Sequence, residues 1–253
     1  MVPNRASLTA GIVAAARTAG RLPRPLARAL GVASLGLVDH VSLRARAIDA
    51  VVASAVEEGL RQLVVLGAGL DDRAWRLPEL AQVIVFEVDH PATQAQKRRR
   101  ARGAPLAREL CFVGVDFERD DLAVELEAAG HDAGSASLWI WEGVTPYLTP
   151  VATAATLDVV AARSASGSVL AMTYGTPELA SFGRAVHRLV RPAFRLLGEP
   201  LEGLMEPDDA ARLVLARGFF VEDDAGPLEW ARRSGQAAPW NVIAEHLLVA
   251  TRR

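Results

Sequence analysis

From residue 61 onward the chain alternates short apolar runs, rich in β-branched residues, with longer stretches of mixed polarity. Runs of roughly four to eight apolar residues bounded by turn residues read as buried strands, and the longer stretches between them read as helices. Strands are predicted near residues 62–67, 82–89, 110–115, 136–142, 167–174, 218–223 and 242–251, with helices that include 92–102, 122–129 and 150–163. Pro91, Pro150 and Pro207 stand where helices begin. A fixed φ and a missing N–H suit a first helical turn. Strands alternating with helices build a parallel sheet covered on both faces. The predicted fold is α/β, a doubly wound, seven-stranded, mostly parallel sheet.

Two segments fall outside the alternation. Residues 1–58 are predominantly helical and predict an N-terminal cap; residues 59–253 form the main domain, into which 175–206, rich in Arg, Leu, Gly and Pro, is inserted. In open parallel sheets the ligand lies beyond the carboxyl ends of the strands, so a long insertion there reads as a lid. A loop-and-helix excursion with no substrate contact is the competing reading.

The strand Leu63-Val64-Val65-Leu66 runs into Gly67-Ala68-Gly69-Leu70-Asp71-Asp72-Arg73, and a second strand, Val83 to Asp89, follows. Glycines at such a turn let the backbone approach a ligand closely. Asp89, about 20 positions after Gly67, stands where a carboxylate accepts both ribose hydroxyls. No third glycine follows Gly69, and Asp71 and Asp72 occupy the place where a dinucleotide fold offers bare amides to a pyrophosphate. Carboxylates there repel phosphate. A ligand with adenosine, no phosphate and a positive charge fits better, and S-adenosylmethionine is such a ligand. The bland alternative is a turn that only joins strand to helix, with Asp71 or Asp72 as its cap.

Composition narrows the partners. With 28 basic and 30 acidic residues the formal charge is −2, so nothing global favours nucleic acid or an anionic membrane, and a small-molecule substrate is expected. One cysteine, Cys111, cannot form an internal disulfide, which points to a cytoplasmic protein. The apolar stretch from Leu8 to Ala16 has only Arg5 before it and Arg17 and Arg21 after it, and so reads as an amphipathic cap helix rather than a secretory leader. No window reaches the ~18–20 apolar residues of a membrane span. The five histidines and one cysteine show no metal-ligand spacing, and no Gly-x-Ser-x-Gly elbow is present. Nothing in the sequence specifies an oligomeric state.

The strings VVLGAGLDDRAWRL, FEVDHPATQAQK, VGVDF and WIWEGVTPYLTP, with SLTAGIVAAAR and LRARAID before them, resemble the leucine carboxyl methyltransferase family. The likeness is to its bacterial branch of small-molecule, polyketide-type O-methyltransferases, and it spans nearly the whole chain. It implies a class I, Rossmann-like methyltransferase fold and S-adenosylmethionine as cofactor. One departure is visible: Asp72 stands where the family usually has Thr.

Glu142, at the carboxyl end of the fourth strand, suits the donor's ammonium, and the resemblance makes it a donor contact; a capping or surface glutamate is the alternative. Asp116 closes the third strand, where it can accept from adenine's exocyclic amine beside an apolar wall at Phe117. The resemblance assigns this pair to adenine; a helix cap is the competing role for Asp116. Aligning LRARAID on the family pattern puts Arg44 on the donor-carboxylate position with Asp49 as its possible partner, and a guanidinium grips a carboxylate through two parallel bonds. Arg17 is a second candidate. Either arginine could instead lie along the surface. Lys97 to Arg100 read as a solvated helix face, although the resemblance has the Lys97 stem packing.

The acceptor side is thinner. A carboxylic acid is already ionised at neutral pH and needs no base, whereas a phenol gains from one. His187 in the candidate lid is the nominated base, with His90 and His40 as the other imidazoles considered, and Tyr147 and Tyr174 as substrate-positioning hydroxyls. The expected function is an S-adenosylmethionine-dependent O-methyltransferase acting on a small organic acid or a phenolic natural product. The alternative is a protein of the same fold that holds the cofactor structurally and runs a non-methylating step such as cyclisation.

Overall fold

The computed structural model describes residues 37–101, 103–117, 119–177, 203–236 and 244–253. Within them a long helix, α1 (Leu37–Glu57), precedes the sheet. The strands are β1 (Gln62–Leu66), β2 (Ile84–Asp89), β3 (Glu109–Gly114), β4 (Ser137–Trp141), β5 (Val169–Gly175), β6 (Phe219–Ala225) and β7 (Glu245–Arg252). Each lies within a few residues of its expected place. Between them run α2 (Arg73–Arg76), α3 (Pro91–Arg100), α4 (Leu122–Ala128), α5 (Pro150–Ala162), α6 (Pro207–Leu215) and α7 (Pro227–Arg233), with 3₁₀ turns at Pro78–Gln82 and Thr145–Tyr147. Pro91, Pro150 and Pro207 do begin helices, and Pro227 begins another. Of the expected cap, α1 is described and residues 1–36 are not; of the expected lid, only 175–177 and 203–206 fall within the described residues.

The strand order is β3-β2-β1-β4-β5-β7-β6. Pairing is parallel from β3 through β5, while β7 runs antiparallel to both β5 and β6. The sheet is therefore mostly parallel, and its chain direction reverses at β7. The order turns back between β1 and β4, the place where open α/β sheets receive their ligand.

Alternate residues of each strand feed two separate cores, as a pleat of period two requires. On one face Leu63, Val65, Leu138, Ile140 and Ala171 pack beneath α1 and α7 through Leu43, Ile48, Val52 and Trp230. On the other, Val64, Leu66, Trp139, Trp141 and Met172 pack beneath α4, α5 and α6 through Leu126, Leu157, Val160 and Val214. β1, β4 and β5 are buried along their whole length, which is why they read as unbroken apolar runs. Side-chain caps secure the helix starts: Asp121 accepts from the amides of Ala123 and Val124 at 2.8 and 3.3 Å, and Thr149 from Ala152 at 3.2 Å. No helix among the described residues is long and apolar enough to cross a membrane.

β1 ends in a turn that only glycine fits. Gly67 has φ +66°, and a Cβ built there would stand 2.5 Å from Cγ2 of Val144, in the chain just beyond β4. Gly67→Ala is expected to cost on the order of 1–3 kcal/mol, from the left-handed backbone and the collision together. Adding Val144→Ala should recover only part of the loss, because the positive φ remains. Thermal unfolding of the three variants checks this, and full recovery in the double variant would mean that the cost lies in the collision alone.

Candidate active site

The turn that follows β1 is held by Asp89 at the end of β2. One carboxylate oxygen accepts from the amide of Gly69 at 2.5 Å, and the other from the amide of His90 at 2.6 Å. Burial raises the Asp89 pKa, opposed by those two amides, by a hydrogen bond from Thr93 and by the charge of Lys97. The residue read as a ribose ligand thus also ties the glycine turn to the second strand. The Ala68 amide adds a bond to the Val88 carbonyl at 2.9 Å. Beneath the turn, Glu87 meets Lys97 at 2.5 Å, with both side chains buried, and the Lys97 ammonium lies 5.5 Å from the Trp75 ring centroid. The stem of Lys97 does pack, while Arg98 to Arg100 are exposed. Burial pushes the Glu87 carboxyl up to about 7 against the pull of Lys97.

Arg44 leaves α1 and is buried between two carboxylates. Its Nε donates to Glu142 at 2.9 Å, and one terminal nitrogen donates to both oxygens of Glu245 at 3.0 and 2.8 Å. Glu142 also faces Arg73 of α2 at 2.9 Å, and Arg73 pairs in turn with Asp71 and, at 2.9 Å, with Asp49. Arg76 joins Asp49 at 2.8 and 3.0 Å and Asp72 at 3.3 Å. His40 closes the other end with its Nε2 at 2.6 Å from Glu245. The network ties α1, the glycine turn, α2, the end of β4 and the start of β7 together. Burial works against the charge of both Arg44 and Arg73, and the surrounding carboxylates overcome it, so both pKa values rise further. Among the described residues Arg73 Nη2 is buried without a hydrogen-bond partner.

Several expectations change against this geometry. Asp49 serves Arg73 and Arg76; the carboxylates on Arg44 are Glu142 and Glu245. Asp71 and Asp72 are each paired with an arginine, so the turn does not present two bare charges to a phosphate. Asp71 also accepts from the amide of Arg73 at 2.8 Å, a cap-like bond. Asp116 is half-buried beside an exposed Phe117, and the cap of the helix that follows is Asp121 instead. The Tyr174 ring is buried and its hydroxyl donates to Asp224 at 2.6 Å. Tyr147 ends the 3₁₀ turn after β4. His90 caps α3, its Nδ1 accepting from Ala92 at 3.2 Å. Arg17 and His187 lie outside the described residues.

Reasoning from sequence passed over Arg73 and Glu245. Arg73 carried a local signal, an arginine directly after two aspartates. Glu245 carried none, because its partner Arg44 is 201 positions away.

Glu245 makes the network's pH dependence testable. Burial alone raises its pKa; the charge of Arg44 and the hydrogen bond from His40 reverse this and bring it from its ordinary 4.5 down to about 2. A depressed carboxylate contributes stability that is complete above about pH 4.5 and is lost as pH falls through about 2. Glu245→Gln should therefore unfold more easily at pH 7, by on the order of 3 kcal/mol. Denaturant titrations from pH 7 to pH 2.5 should show the gap narrowing below pH 4.5. A gap independent of pH would show that packing, not charge, carries the effect.

A family model described as leucine carboxyl methyltransferase matches residues 12–161. A relative from Mycolicibacterium gilvum is 39% identical over 167 residues, covering 65% of this chain and 52% of its own. Another, from Mycobacteroides abscessus, is 32% identical over 216 residues, covering 83% and 64%. The names of both propose an S-adenosyl-L-methionine-dependent methyltransferase, and the chain spans between half and two thirds of their length. Among solved structures, a DUF574-family protein from Streptomyces avermitilis has a TM-score of 0.71 at 17% identity, covering 98% of each chain. A protein from Thermobifida fusca, proposed to be a methyltransferase, has a TM-score of 0.64 at 18% identity, covering 90% and 88%. At such identities the likeness is one of fold. The chain belongs to the leucine carboxyl methyltransferase family.

Proposed function

We propose that this protein is an S-adenosylmethionine-dependent O-methyltransferase acting on a small organic acid or a phenol, in the cytoplasm. The observation that carries the reading is the Arg44–Glu142 pair at the end of β4, one strand from the Gly67 turn and two from Asp89. A buried cation and a buried anion side by side match the two charges of an amino-acid end. The close turn and the carboxylate of β2 match a ribose. The family relatives' names support the same cofactor.

The residues present fit that group. Arg44 would take its carboxylate and Glu142 its ammonium, with Arg73 Nη2 a further buried donor in the same network. Asp89 would accept from a ribose hydroxyl through the acceptor site left beyond its bonds from the Gly69 and His90 amides and from Thr93, since a carboxylate offers about four. Asp116 would accept from the adenine amine, with exposed Phe117 as its apolar wall. When bound, S-adenosylmethionine supplies a methyl group on a positively charged sulfur. The protein's part is then positioning, because an in-line displacement depends on near-attack geometry. Tyr147, in the turn just past Glu142, is the candidate for holding the acceptor.

Calorimetric titration with S-adenosylmethionine and with its demethylated product tests the reading. Both should bind and raise the melting temperature by mass action, and nicotinamide dinucleotides should not. Asp89→Ala should weaken binding about ten- to a hundredfold, the cost of losing a charged hydrogen-bond pair, with circular dichroism confirming the fold. Tight binding of NAD and none of the methyl donor would overturn the assignment. A bound donor with no label passed to any acceptor would favour the non-methylating alternative.

A further inference from the structure

A second cluster of polar side chains stands at the same end of the sheet, on the opposite face of β7 from Glu245. Tyr174 lies near the end of β5, Asp224 near the end of β6, and His246 is the second residue of β7. Tyr174 and His246 are direct cross-strand partners, while Asp224 stands opposite Leu248. Both Tyr174 and Leu248 belong to the core under α4 to α6, so all three polar side chains share that face. The Asp224 carboxylate divides its oxygens: Oδ1 meets His246 Nδ1 at 2.9 Å, and Oδ2 accepts from the Tyr174 hydroxyl at 2.6 Å. The two rings lie 5.6 Å apart.

We propose that His246, oriented by Asp224 and Tyr174, is the base that accepts the acceptor's proton, and that the acceptor is accordingly a hydroxyl, a phenol or enol, rather than a carboxylate. The inference rests on the methyltransferase reading above.

Three features separate this histidine from the others described. His40 is buried on Glu245, His131 is buried with its two ring nitrogens on Ser137 and Arg163, and His90 caps a helix, whereas the His246 side chain is 31% exposed, and among the described residues its Nε2 has no partner. A carboxylate at Nδ1 selects the tautomer with the proton there, which leaves the Nε2 lone pair free. The backbone beside it is glycine: a Cβ at Gly226 would stand 3.3 Å from both Cδ2 and Nε2 of His246. Any other residue there would crowd the edge of the imidazole that carries the free nitrogen.

Tyr174 is not the base. Burial, and then its bond to Asp224 and the charges of Asp224, Asp208 and Glu206, raise its pKa well above the ordinary tyrosine value, so it remains a donor to Asp224. Asp208 and Glu206, at the start of α6, together with Asp224 and Tyr174, are the ionisable groups gathered around the cluster. In the step itself the acceptor's O–H proton passes to Nε2 while the oxygen's electron pair forms the new C–O bond. The carbon–sulfur bond breaks with its pair left on sulfur, and Asp224 offsets the charge of the imidazolium. An ionised carboxylic acid carries no proton to remove, so this arrangement would be idle with one.

Two measurements on the whole 253-residue chain test this. Long-range nitrogen–proton NMR with labelled imidazoles, needing neither donor nor acceptor, should show His246 protonated at Nδ1 and bare at Nε2, with the tautomer inverted in Asp224→Asn. Labelled methyl donor offered to paired phenols and carboxylic acids should mark phenols. His246→Ala and the better-packing His246→Gln should lower that transfer by ~10²–10⁴-fold, with donor affinity unchanged and the fall in turnover on the acid side of the pH profile abolished. A proton on Nε2 in the parent, label on carboxylates alone, or transfer within threefold of the parent in both variants would overturn the proposal. If calorimetry shows no donor binding, the underlying assignment fails instead, whatever the tautomer.

Discussion

Arg44 is the constraint on which the ligand end of this molecule depends. A guanidinium 7% exposed, gripping Glu142 and Glu245 together, has left water at a large desolvation cost. That cost is tolerable only if the partners stay in place. Glu142 is fixed by following β4 and by Arg73, and Glu245 by opening β7 and by His40. Glu142 thus bridges two arginines, Glu245 bridges Arg44 and the His40 ring, and each arginine bridges carboxylates from different elements. Removing one member would strand a buried charge on the others, so the helix before the sheet, the glycine turn and the last strand are obliged to dock in one arrangement.

Such a network is weak as a source of net stability, because well-packed apolar side chains of similar volume often do as well or better. Its value lies in position. It keeps opposite charges at the carboxyl end of β4 and the start of β7, at the edge of the turn where the chain comes closest to a ligand. The same turn is held from the other side by Asp89, whose two oxygens clamp the amides of Gly69 and His90. A rigid backbone at Gly67 and Gly69 and a prearranged pair of charges reduce the ordering that a ligand must impose on binding.

β7 extends this logic through its pleat. Adjacent residues point to opposite faces of a strand, so Glu245 turns toward Arg44 and α1 while His246 turns toward Tyr174 and Asp224. One strand end therefore contributes to the cofactor-side charges and, on the reading proposed here, to the acceptor side. The antiparallel insertion of β7 between β5 and β6 makes this possible, since it brings the beginning of a strand to the end of the sheet where the parallel strands finish.

What could be read from the sequence was whatever is encoded locally. Val64, Leu66, Trp139 and Met172 lie in runs long and apolar enough to declare strands buried on both sides, and Pro91, Pro150 and Pro207 declared helix starts through their own covalent geometry. Gly67 and Asp89 were legible for the same reason: a turn and a strand end about 20 residues apart form one local unit. The tertiary structure alone decided who pairs with whom. Asp49 was expected as a possible partner of Arg44 from the family pattern of the LRARAID segment, yet it faces Arg73 and Arg76, while Glu142 and Glu245 reach Arg44 from 98 and 201 positions away. The direction of β7 was equally hidden, since an apolar run of period two reads the same in either orientation. Charge pairing and strand direction depend on which surfaces meet once the sheet has closed, and no local pattern of side chains records that.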